Sequence, residues 1–119
     1  MNDFKEKMKE RTLRIAIKIL NECNQLPASA VNVVLIKQLT RSITSVGANY
    51  REACRAKSRA DFISKLQIVE AECDESIYWI ALLGSQENTY KVTAESNLKE
   101  LNEILSIVVK AIRTARGVV

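Results

Sequence analysis

The 119-residue chain has no histidine, one proline and three glycines. Without histidine, Ser-His-Asp and Cys-His nucleophilic catalysis and the Glu-x-x-His di-metal sites of bundle proteins are excluded. Lysine or carboxylate chemistry remains open, but no residue pattern singles it out. Turns and sheets draw heavily on glycine and proline, so their scarcity favours long helices. No apolar run approaches the roughly 20 residues needed to span a bilayer, so no membrane partner is expected. The opening, MNDFKEKMKERTLR, is charged and lacks an apolar h-region; no secretory signal is visible, and a cytoplasmic location is expected. Cys23, Cys54 and Cys73 form no C-x-x-C pair, and an odd number cannot all pair internally. They fall on or beside apolar helix positions, so buried reduced thiols are expected, with no cofactor and no metal.

The apolar content of 47% is spread evenly over a length sufficient for one domain, 1–119, with a real core. Four amphipathic segments follow from helical spacing, at approximately 3–24, 29–54, 59–84 and 93–116. The first turns Met8, Ile15, Ile19 and Cys23 inward, with Leu20 on the flank, and is broken at Gln25-Leu26-Pro27-Ala28. The third starts at a clear cap: Ser58 is followed three residues on by Asp61, an acid that can satisfy free helix amides. Its ridge is Phe62, Leu66, Val69, Cys73, Ile77 and Ile80, fading at Gly84–Asn88. The fourth carries Leu98, Leu101, Leu105, Val108 and Ile112, with Gly117 as its stop. Helices of this length with short links predict an all-α, up-down-up-down antiparallel four-helix bundle.

The second segment has two specialised faces. Leu39, Ile43, Val46, Tyr50 and Cys54 form an apolar ridge. Gln38, Arg41, Ser45, Asn49 and Glu52 form a polar stripe almost diametrically across. Arg41 and Glu52 lie too far apart to pair along one helix. Each therefore calls for a partner from another helix or subunit, with Glu75 or Asp74 available to Arg41. This predicts a polar packing or assembly network.

The net charge of +4 is uneven, reaching +5 over residues 37–65 and −4 over residues 66–91. Lys7, Arg11, Arg14 and Lys18 form one stripe about 16 Å long, read as lying opposite the core of the first helix. Arg51, Arg55, Lys57 and Arg59 cluster at the corner between the second and third helices. Either array suits phosphate backbones, bound through counterion release without base readout. Aromatic stacking groups are scarce, with Tyr90 the only aromatic outside the core-like patterns, so base-specific reading of single strands is not expected. Glu70, Glu72, Asp74 and Glu75 point in several directions along a helix; ion pairing, not a shared metal ion, is expected of them. Tyr78 and Leu82, with Trp79 nearby, give the third helix a second apolar side, which predicts a contact between subunits.

The stretch QLTRSITSVGANYREACRAKSRADFISKLQIVEAECDESIYWIALL resembles the four-helix bundle protein family, also called the 23S ribosomal RNA intervening-sequence proteins. The matching positions run from Gln38, Leu39, Arg41, Ser42, Ser45, Val46, Asn49 and Glu52 through Arg55, Ser58, Asp61, Phe62 and Leu66 to Glu75 and Ser76. The resemblance implies an antiparallel bundle that assembles into a ring, with pentamers among relatives. It also implies an origin, for some members, inside insertions of large-subunit ribosomal RNA genes. A related branch is the accessory protein of diversity-generating retroelements, which binds nucleic acid and a reverse transcriptase. No catalytic residues are implied. Two readings follow: a non-enzymatic, ring-forming accessory protein that binds RNA or DNA, or an oligomeric scaffold whose partner is a protein.

Overall fold

A computed structural model describes residues 3–117. Helix α1 spans Asp3–Cys23, α2 Ala30–Ala53, α3 Arg59–Gln86 and α4 Lys91–Ala115, with a 3₁₀ turn at Asn88–Tyr90 leading into α4. The helices form a bundle measuring 45 × 23 × 22 Å.

Local chemistry sets the helix starts. Ser29 Oγ accepts from the Asn32 amide at 3.1 Å, and Ser58 Oγ accepts from the Asp61 amide at 3.0 Å. Each cap satisfies an amide that has no partner within its helix. The Asp61 carboxylate turns back to the Lys57 amide at 3.2 Å, closing the corner before α3. At the far end Gly117 has φ +76°, the left-handed geometry that glycine adopts beyond a helix.

Interhelical contacts fix the antiparallel register. Lys65 reaches Glu52 at 2.8 Å, and Ser76 Oγ lies 2.8 Å from Ser42 Oγ, both between α3 and α2. The Cys73 thiol donates to the Leu101 carbonyl at 3.4 Å between α3 and α4. Arg11 meets Glu100 at 2.6 Å between α1 and α4. Ile19, Leu39, Ile43, Leu66, Ile80 and Leu101 are wholly inaccessible at the centre, and each contributes about 1.5–3 kcal/mol by leaving water.

α3 itself ends at Gln86, within the Gly84–Asn88 stretch where its pattern fades. Gly84 permits close packing there, since a Cβ would stand 3.0 Å from the Ala94 side chain. Two expectations need correction. The buried seam of α4 is Ala94, Asn97, Leu101, Ile104, Val108 and Ile112, so Leu98 and Leu105 are only half-buried on its flank. A small residue and an amide at 94 and 97 hide that seam from a count of large apolar residues. Tyr90 lies in the core, 3% exposed, whereas Phe4 and Tyr78 are exposed aromatics.

The four interfaces differ. α2–α3 and α3–α4 are extensive, and α1–α4 is the thinnest. A groove of about 720 Å³ consequently opens between α1 and α4, its walls including Phe4, Met8, Arg11, Lys18, Asn97 and Ile107.

Candidate nucleic-acid interface

The helical period places the α1 cations on the flank towards α4 and brings each of them to an acid. Lys7 pairs with Asp3 at 3.5 Å and Arg14 with Glu10 at 3.2 Å, each one turn away. Arg11 bridges to α4, holding Glu100 at 2.6 Å and Glu103 at 2.7 Å. Those carboxylates hold the Arg11 guanidinium above its ordinary pKa, Glu100 most of all. In return, its hydrogen bond from Arg11 lowers the Glu100 carboxyl below its usual range. Lys18 binds Glu22 at 2.7 Å and Asn97 Oδ1 at 2.5 Å. Asn97, itself buried, donates onward to Glu22 at 2.7 Å and to the Tyr90 hydroxyl at 3.1 Å. The stripe is thus neither opposite the core nor unpartnered: Lys7 and Arg14 pair within α1, while Arg11 and Lys18 tie α1 to α4.

The corner is different. Arg51, Arg55, Lys57 and Arg59 are all exposed. Among the described residues no carboxylate pairs with their side chains. Two of them lie past the end of α2 and one opens α3, and the acids nearby are engaged elsewhere, Glu52 with Lys65 and Asp61 with the Lys57 amide.

The polar stripe of α2 resolves into two separate ties to α3 and a helix-internal stretch. Arg41 hydrogen-bonds Glu75 and reaches Glu72 at 3.2 Å. Glu75 also accepts from Trp79 Nε1 at 3.2 Å, and its carboxyl is held below the usual range, chiefly by Arg41. Glu52 takes Lys65. Between them, Ser45 Oγ and Asn49 Nδ2 donate to carbonyls of their own helix, at 3.0 and 2.9 Å. Gln38 is half-buried and makes no side-chain hydrogen bond among the described residues. Asp74 is exposed and takes no part. The ion pairing expected of the α3 acids is met at Glu72 and Glu75, whereas sequence reasoning missed Asn97 and the buried Ser42–Ser76 contact. For the serines the signal was present, because both are small polar residues on inward-facing positions.

The second apolar side of α3 narrows in the folded chain. Trp79 and Leu82 pack against the core, and Tyr78 projects from it, 57% exposed, edge-on to Trp79 at 5.1 Å. Other exposed apolar side chains lie elsewhere, Leu13 and Ile17 on α1 and Val34 on α2 among them.

The sequence profile of the 23S rRNA-intervening sequence protein family matches residues 5–110. The chain belongs to that family. A crystal structure of a protein with unknown function from the S23 ribosomal protein family of Bacteroides thetaiotaomicron is similar throughout. Its identity is 38% and its TM-score 0.82, over 92% of this chain and 97% of that one. No curated protein matches the chain.

Among the described residues, no group of three or more Cys, Asp or Glu could hold a metal ion. Burial pushes the Cys23 thiol up to about 11 and the Cys73 thiol up to about 12, so neither is a ready thiolate near neutral pH. No helix among the described residues is long and apolar enough to cross a membrane.

Proposed function

We propose that this intervening-sequence family protein is a non-enzymatic, cytoplasmic accessory protein that self-assembles and binds the phosphate backbone of nucleic acid, RNA foremost. The observation that carries the reading is the contrast between its two basic arrays. Arg51, Arg55, Lys57 and Arg59 stand exposed without acid partners, whereas the α1 cations are each answered by a carboxylate. An unanswered cluster can neutralise phosphates and so release the counterions condensed on the nucleic acid; a cluster already paired with acids displaces few. The family's name, which links it to 23S rRNA, supports RNA as the first ligand to test. Self-assembly would multiply weak contacts by avidity. Anisotropy titration of a labelled structured RNA against the purified protein, from about 50 to 300 mM salt, is the test. Affinity falling steeply with salt is expected; no binding at the lowest salt would sink the proposal.

The exposed Tyr78, Leu13, Ile17 and Val34 support a second reading, an oligomeric protein scaffold. A ring, and a pentamer in particular, accords with the resemblance to relatives and is tested by light scattering. A strictly monomeric profile argues against both assembly and scaffold.

A further inference from the structure

Antiparallel folding gathers cations that lie far apart in the chain. α1 and α3 begin, and α2 and α4 end, at the same pole of the bundle. Two contacts fix this arrangement. Lys5 Nζ lies 5.4 Å from the centre of the Phe62 ring, joining the starts of α1 and α3. Phe4, Met8 and Ile107 line one groove, which brings the end of α4 beside the start of α1. Residues 3–10, 50–65 and 107–117 make up this pole and carry eleven basic and five acidic groups, net +6. The rest of the chain carries seven and nine, net −2. Two helices start and two end there, so their macrodipoles oppose one another and the side chains set the field.

The α4 contribution is the new element. From Ile107 onward the chain has three basic residues, Lys110, Arg113 and Arg116, and no acid. Lys110 and Arg116 are exposed and, among the described residues, have no acid partner.

We infer that this pole, and not the α2–α3 corner alone, is a docking surface for the backbones of double-helical nucleic acid, with Lys110 and Arg116 contacting phosphate. The inference rests on the phosphate-binding reading above and extends it to a ligand class and to residues of a fourth helix. Charges on neighbouring helix ends stand about 8–10 Å apart and, across the diagonal, roughly 12–14 Å. A duplex presents two phosphate rows across a groove of about 12 Å, and a pole 23 × 22 Å wide can meet both. A single strand offers one row and gains its affinity from aromatic stacking. This pole supplies little stacking surface: Lys5 covers Phe62, and the exposed Phe4 forms part of a groove wall.

The test uses the full chain and four probes: a 20-base-pair RNA duplex, the matching DNA duplex, and one strand of each. Both duplexes should bind at least about fivefold tighter than their single strands, and within about tenfold of each other, because charge spacing and not base identity is read. Lys110→Gln with Arg116→Gln should weaken duplex binding about tenfold near 100 mM salt and reduce the slope of log affinity against log salt by about 2. Each single variant should give about half that slope change, which keeps the test intact if the double variant folds poorly. Lys37→Gln with Lys91→Gln, towards the other end of the bundle, should change neither. If the wild type binds no probe, the phosphate-binding reading itself falls. If Arg55→Gln and Arg59→Gln weaken binding but Lys110→Gln and Arg116→Gln do not, the corner reading survives and the four-helix pole is overturned. Single strands bound as tightly as duplexes would overturn the ligand class.

Discussion

The α1 stripe and the α2–α3 corner each present four cations, and in the sequence they look like equal candidates for phosphate. Folding separates them. Regular helix around the stripe supplies acids one turn away at Asp3, Glu10 and Glu22, and α4 adds Glu100 and Glu103. At the corner the helices stop, and the two nearby acids are already engaged, Asp61 with the Lys57 amide and Glu52 with Lys65. The comparison shows that available charge differs from charge: what matters is whether the fold brings a carboxylate within reach. The stripe is therefore read as a fastening, and the corner as a surface.

If that division is right, substitutions in the stripe cost stability and substitutions at the corner cost affinity. The largest effect should come from Asn97→Ala, which takes from Lys18 its contact with α4 and leaves Glu22 and the Tyr90 hydroxyl short of a partner. A loss of about 2–3 kcal/mol in urea denaturation is expected; a loss below about 0.5 kcal/mol would break the fastening reading. Next, Arg55→Glu with Arg59→Glu should weaken RNA binding at least tenfold while leaving the urea midpoint in place. Arg14→Gln should move affinity less than about threefold, its charge being already met by Glu10.

A smaller effect, about 1 kcal/mol, is expected of Arg11→Ala, whose side chain is 27% exposed and holds two carboxylates. Arg55→Ala should stay within about 0.5 kcal/mol. The smallest effect is on pH dependence. Glu100 and Glu75 have pKa values lowered from the ordinary 4.5 by their arginines. Their contribution is whole above that ordinary value and is lost as pH falls through the lowered, folded one. The urea midpoint should hold from pH 7 to about 5 and then fall. Arg11→Gln with Arg41→Gln should flatten that fall; an unchanged profile would show that these pairs contribute nothing to it.

Much of the architecture is legible in the residues. The ridge Leu39, Ile43, Val46 and Tyr50 is buried as its spacing predicts, and the Ser58 cap is where the sequence puts it. What the pattern missed has common causes. The residues of 84–88 mark the end of α3 but do not show that Gly84 meets Ala94 across the α3–α4 interface. Tyr90 looks peripheral because it stands just before α4, yet a 3₁₀ turn folds it inward. Asn97 looks solvated because it is an amide, yet three partners satisfy it in the interior. In each case the deciding neighbour lies on another element, beyond the range of helical periodicity.

The sequence by itself determined the class of fold and the family, because helix periodicity, caps and a dense run of motif residues are local properties. It also placed cations on α1 and at the corner. Only the tertiary structure decided which of them stand without acid partners and which distant residues join them. Ion pairing depends on carboxylates from facing helices, and the shared pole depends on four helix ends meeting at one end of an antiparallel bundle. Electrostatic interactions act through space over a few ångströms, and the chain separates by up to a hundred residues what the bundle brings together.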